Sequence, residues 1–112
     1  MNKVVKFLKN IFKYIPIAPK SELHEIKERK VDKYSKKALK KLYKTMKIRY
    51  MCGYADWTIY EYEEEWSKFR FNDWDVRYSV KRLLIENGYD VYENVVECYF
   101  GDEYKSFTIN LQ

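Results

Sequence analysis

Apolar and polar residues recur along this chain with two different periods, and the change from one to the other falls near Gly53. Over residues 3 to 15, at 100° per residue, Val4, Val5, Phe7, Leu8, Ile11, Phe12 and Ile15 share one arc, with Lys3, Lys6, Lys9, Asn10 and Lys13 on the other. That pattern predicts a short amphipathic helix. Pro16 and Pro19 stop it, because neither continues a helix, so residues 16 to 20 read as a stiff linker. Ser21 is placed to cap a second helix, with Glu22 and Glu25 in the first turn opposing the positive end of its dipole. From there Val31, Tyr34, Ala38, Leu42 and Met46 recur at helical spacing, joined by Leu39, Tyr43 and Tyr50, so the helix runs to about Met51 with one stripe on a core. Residues 21 to 30 carry few apolar anchors, which predicts a bend or break near Lys30 to Lys33. Gly53 ends the pattern, as a residue free to take positive φ does.

Beyond Gly53 the period shortens. Trp57, Thr58, Ile59, Tyr60 and Tyr62 favour a pleated strand, and Glu63, Glu64 and Glu65 read as a solvated acidic bend. Trp66 to Phe71 reads equally as a second short strand or as a loop. Asn72 is placed to cap a helix over about residues 73 to 87, with Asp73 and Asp75 in its first turn and Val76, Val80, Leu83 and Leu84 facing inward. Gly88 suits the left-handed position after that helix, with Tyr89 folding back onto Leu84 in a Schellman-type ending. Tyr89 to Glu93, Val95 to Phe100 and Tyr104 to Leu111 read as strands. A two-residue turn at Gly101 and Asp102 pairs Cys98 with Lys105 and Val96 with Phe107, placing Val96, Cys98, Phe100, Phe107 and Ile109 on one face.

The expected fold is therefore α+β: basic N-terminal helices, then a small, mainly antiparallel sheet packed with a helix and ending in a hairpin. Residues 1 to 20 form an amphipathic helix with its Pro linker, and residues 21 to 112 one α+β domain. A length of 112 residues suits one domain with a real core. The aromatic share of 19%, twelve of the residues Tyr, implies that some rings sit at a surface.

Charge changes this picture more than composition does. Residues 1 to 49 hold sixteen Lys and Arg against four acidic residues, and residues 50 to 112 hold six against thirteen, within a net charge of +5. Either the two halves attract each other within the fold, or each faces its own partner. Cys52 and Cys98 give neither metal spacing nor a CxxC pair, and read as reduced, mostly buried thiols of a cytoplasmic protein. Lysines interrupt every apolar run near the N-terminus, so neither a signal-peptide core nor a transmembrane span is expected.

Little here points to catalysis. His24 has no Cys or second His at ligand spacing, so no metal is expected. No Gly-rich phosphate loop, GxSxG or HExxH occurs, and no cofactor is expected. The consecutive carboxylates near Glu64 read as a solvated turn, since acid and base work needs two carboxyl groups in different environments.

Three surfaces suit binding instead. Lys33, Lys36, Lys37, Lys40, Lys41, Lys44, Lys47 and Arg49 set a ridge of positive charge along the second helix, the pattern of a polyanion contact that reads phosphate charge and not bases. Tyr34, Tyr43 and Tyr50 supply rings for stacking beside it. The competing reading of that ridge is a solvated face neutralised by the acidic half. Trp57, Tyr60, Tyr62 and Trp66, interleaved with Asp and Glu, suit contact with a protein, although most rings of this segment are expected in the core, since a small sheet covered by two helices needs large side chains. The apolar arc around Phe7, Leu8, Ile11 and Phe12 suits docking on the chain's own core or on a second copy, then a partner's groove, then weak contact with a membrane surface.

The stretch LLIENGYDV ending at Val91, followed by a last strand ending FTINL, resembles an arrangement in small accessory proteins of bacteriophages, where a helix stops at a Gly-Tyr-x-Val turn and a strand completes a compact sheet. Lys36 to Tyr62, a basic helix followed by TIYEYEE, is similar to the preceding half of that arrangement. Residues 1 to 20 have no counterpart in it. The resemblance implies a small, non-enzymatic binding protein, phage or prophage encoded and acting in the host cytoplasm, that occupies a host macromolecule or sequesters an anionic ligand. It transfers no catalytic residue. The alternatives from the residues themselves are nucleic-acid binding without sequence preference and peripheral membrane association.

Overall fold

A computed structural model describes residues 20–98 and 100–112. The predicted N-terminal helix, with Phe7, Leu8, Ile11 and Phe12, lies outside the described residues. Helix α1, Lys20–Met51, is 32 residues long, about 48 Å at 1.5 Å per residue. Strand β1, Asp56–Tyr60, follows, then a single-turn helix α2, Glu64–Lys68, and helix α3, Trp74–Glu86. Strands β2, Val91–Glu97, and β3, Glu103–Asn110, complete an antiparallel sheet in the order β1-β3-β2. The expected α+β class holds.

Helix α1 continues through Lys30 to Lys33 without the expected break. Lys20, read as linker, is helical, and Ser21 lies in the first turn instead of capping it. Residues 20–30 are all exposed, so no burial holds them. Pairs one turn apart do so locally, His24 with Glu28 at 3.3 Å and Arg29 with Glu25 at 4.0 Å, and Lys36 with Asp32 at 3.0 Å continues the series beyond them, each worth roughly 0.2–0.5 kcal/mol. Lys27 also reaches across to Asp75 of α3 at 3.0 Å. Further along, Ser35, Ala38, Leu42 and Met46 form one narrow buried stripe against α3 and β1.

The three helices among the described residues end in the same way. After α1, the N–H groups of Gly53 and Tyr54 donate to the carbonyls of Tyr50 and Arg49, both at 3.0 Å. After α3, Gly88 and Tyr89 donate to Ile85 and Leu84 at 3.0 and 3.1 Å, as the GY pair predicts. After α2, Arg70 and Phe71 donate to Ser67 and Trp66 at 3.0 and 2.8 Å, with the Phe71 ring 5.5 Å from Trp66. Gly53 and Gly88 hold φ of +90° and +91°, and Arg70 takes the same left-handed position at φ 59°. A Cβ on Gly88 would meet nothing within 4 Å, so Gly88→Ala tests conformation alone. It is expected to cost about 1 kcal/mol in a urea unfolding titration.

The segment Glu63 to Phe71, read as a bend and then as strand or loop, is this short helix and its cap. Helix α3 is capped by Asp73, whose carboxylate accepts from the Asp75 N–H at 3.0 Å, while the Asn72 amide donates to Ser67 Oγ at 3.0 Å. Its buried face comprises Val76, Arg77, Val80 and Leu84, with Leu83 only half-buried.

The hairpin register differs from the expected one. Val91 pairs with Ile109, Glu93 with Phe107, Val95 with Lys105 and Glu97 with Glu103, leaving a five-residue connection in place of a two-residue turn. Strand β2 is one continuous strand through Glu93 to Val95. Val96 therefore faces away from Phe107 and Ile109, and Phe100 is 92% exposed. The reason is Arg77, 6% exposed, which donates through Nε to Glu93 Oε1 at 2.7 Å and through Nη1 to the Phe71 carbonyl at 2.6 Å. A buried guanidinium needs a carboxylate, and the observed register supplies one by turning Glu93 inward. Around this pair the core gathers Leu42, Ile59, Trp66, Phe71, Val76, Val80, Phe107 and Ile109.

Candidate anion-binding surface

Because the buried stripe of α1 is narrow, most of the helix circumference is left to solvent. At 100° per residue, Lys33, Lys37, Lys40 and Lys44 lie opposite Ala38 and Leu42, with Lys36, Lys41 and Lys47 flanking them, and all seven are exposed. Lys33 to Lys47 spans about 21 Å. Among the described residues, Lys33, Lys37, Lys40, Lys41, Lys44 and Lys47 have no carboxylate within 4.0 Å, and Lys36 is paired only within its own helix. Lys27 with Asp75 is the one ion pair there between α1 and the acidic half, and that carboxylate holds the Lys27 pKa above its ordinary value through a hydrogen bond and through its charge. The acidic half thus leaves the ridge unneutralised by direct pairing.

Arg49 does not belong to this ridge. It is half-buried on the inner side of α1, its guanidinium 5.2 Å from the Tyr54 ring and 5.4 Å from Trp57, where it closes the helix end. Two of the proposed stacking rings are also engaged, Tyr43 by Lys47 at 5.5 Å and Tyr34 by Arg70 at 3.8 Å; Tyr50 is exposed.

One flank of the ridge meets the cap of α2 in a groove of about 440 Å³ lined by Tyr34, Lys37, Ala38, Lys41, Ser67, Lys68, Phe69 and Arg70. Four cationic residues and two that carry hydroxyls, Ser67 and Tyr34, line it, with no carboxylate. Lys37 and Lys41 are one turn apart on α1, whereas Lys68 and Arg70 come from the segment read as strand or loop. Only the paired aromatics Trp66 and Phe71 around a short polar run hinted at a cap there.

The aromatic set divides. Trp57 and Trp66 are 4% and 1% exposed and are core residues, so neither presents a protein-binding surface. Tyr60 and Tyr62 remain outside, stacked at 5.4 Å, with Tyr104 edge-on to them at 5.9 and 5.0 Å. This cluster lies at the sheet face turned away from the helices, beside the Thr58–Thr108 hydroxyl pair at 2.9 Å. Desolvation raises the Tyr104 pKa from its ordinary value, with the Cys98 thiol adding to it. Cys98 is half-buried and Cys52 exposed, not buried as expected; both are free.

Among the described residues no group of His, Cys, Asp and Glu is arranged to hold a metal ion, and no helix is long and apolar enough to cross a membrane. Comparison with family models, curated proteins and solved structures found no match to this chain.

Proposed function

We propose that the protein is a binding protein for a polyanion, and that nucleic acid held through its phosphates on the outer face of α1 is the ligand. One observation carries this: the lysines opposite the buried stripe have no carboxylate partners among the described residues. Solvated ammonium groups along about 21 Å of rigid helix release counterions when phosphates replace their anions, and this drives affinity without reading bases. Titration of the full chain with labelled single strands of different sequence is the test. Affinity is expected to fall steeply from about 50 to about 200 mM salt and to vary little with sequence. Binding that is insensitive to salt would rule this reading out.

A second reading, contact with a protein, is favoured by the Tyr60, Tyr62 and Tyr104 cluster, in which Tyr62 is 67% exposed. Rigid tyrosines anchor interfaces at low entropic cost. A partner retained after nuclease treatment and lost with Tyr62→Ala is its expected signature; retention by the variant would remove it.

A further inference from the structure

We infer that the groove between α1 and the α2 cap is a site for a single phosphate group, with Arg70 as its central ligand; the choice of ligand class rests on the polyanion reading, and the site shares Lys37 and Lys41 with the ridge but adds Lys68 and Arg70, which the ridge lacks. Three helix ends among the described residues share one hydrogen-bonded cap, and two place glycine at its left-handed position. The third places Arg70 there, at φ 59°, a conformation that a residue with a Cβ adopts at a cost. The backbone turn would form more readily with glycine, so what the position gains is the guanidinium.

That guanidinium is held in place. It lies 3.8 Å from the centre of the Tyr34 ring, and among the described residues it makes no ion pair and donates no hydrogen bond. A guanidinium lying over a ring face spends none of its N–H donors on that contact, and arginine can use two of them to grip two oxygens of one phosphate. Lys37 and Lys41 approach from α1 and Lys68 from the end of α2. Ser67 completes the set: its Oγ already accepts from the Asn72 amide at 3.0 Å, which leaves its hydroxyl hydrogen to donate. Four cations sharing one groove with no carboxylate repel one another until an anion enters. A phosphate dianion relieves that repulsion and accepts from the donors it meets there. Arg70 and Lys68 lie far from Lys37 and Lys41 in sequence, so the site exists only once α2 has docked beside α1.

The test is calorimetric titration of the full chain with inorganic phosphate, at ionic strength matched with chloride. Wild type is expected to bind. Arg70→Gly is expected to lose at least tenfold in affinity while melting within a few degrees of wild type, since glycine suits the left-handed position. Arg70→Asn, which also tolerates that region, serves if the glycine variant does not fold. A ridge variant, K33E/K40E/K44E, is expected to keep most of its phosphate affinity. Comparing a 5′-phosphorylated oligonucleotide with its unphosphorylated form then separates a nucleic-acid end from free phosphate as the source. Absence of phosphate binding by wild type, or equal binding by wild type and both Arg70 variants, overturns the site. Neither result decides the ridge reading, which falls if strand binding is insensitive to salt or if K33E/K40E/K44E binds unphosphorylated strands as wild type does.

Discussion

Reversing three outward charges of α1, in K33E/K40E/K44E, is expected to weaken single-strand binding by about a hundredfold or more at low salt and to flatten its salt dependence. Six lysines, Lys33, Lys37, Lys40, Lys41, Lys44 and Lys47, are exposed and free of carboxylates among the described residues. If all six meet phosphates, the slope of log affinity against log salt is about −4 on a single strand, and losing three contacts brings it to about −2. The three new carboxylates also repel the strand. The fold should persist, because these side chains face away from Ser35, Ala38, Leu42 and Met46 and bury nothing. Fluorescence anisotropy over a salt series reads both quantities. An unchanged slope would mean that the contact lies on another surface.

Arg77→Ala is expected to destabilise the domain by about 3 kcal/mol, on the order of 15 °C in melting temperature. The guanidinium satisfies the Phe71 carbonyl at 2.6 Å and Glu93 at 2.7 Å, and lies 5.4 Å from the Trp66 ring. Its removal strands a buried carbonyl and leaves an inward-turned carboxylate with Lys81 alone, at 3.3 Å and partly in solvent. Because Glu93 is itself a third exposed, the loss belongs at the lower end for a broken buried pair. Pairing the change with Glu93→Leu should recover part of the stability, since no lone carboxylate then faces the core. Thermal melts of the two single variants and the double variant give the coupling directly. Additive losses would show that Arg77 acts through packing and not through Glu93.

What could be read along the chain was local in origin. The stripe of α1, the ends at Gly53 and Gly88, the body of α3 and the strand around Trp57 each follow from residues within a turn or two of one another, through periodicity and the φ freedom of glycine. The exposed lysine face was legible for the same reason: once the stripe is known, its opposite follows. The cap of α2 was missed because arginine occupies the position where glycine normally signals a helix stop.

The hairpin register, the burial of Trp57 and Trp66 and the groove between α1 and the α2 cap were set elsewhere. A slip of the hairpin by an odd number of residues turns every β2 side chain to the other face, and the choice was made by Arg77, sixteen residues from Glu93, which had to be neutralised inside the core. That a small sheet under two helices needs large side chains was legible in the sequence, but that Trp57 and Trp66 are the rings enclosed, and Tyr60 and Tyr62 not, was decided by packing. By itself, then, the sequence determined the bodies of α1 and α3, their ends at Gly53 and Gly88 and the sign of charge on the exposed face of α1, since those depend on neighbours in the chain. Tertiary structure alone decided which aromatics stayed outside and that Lys37 and Lys41 meet Lys68 and Arg70, because packing and charge neutralisation act between residues the chain keeps far apart.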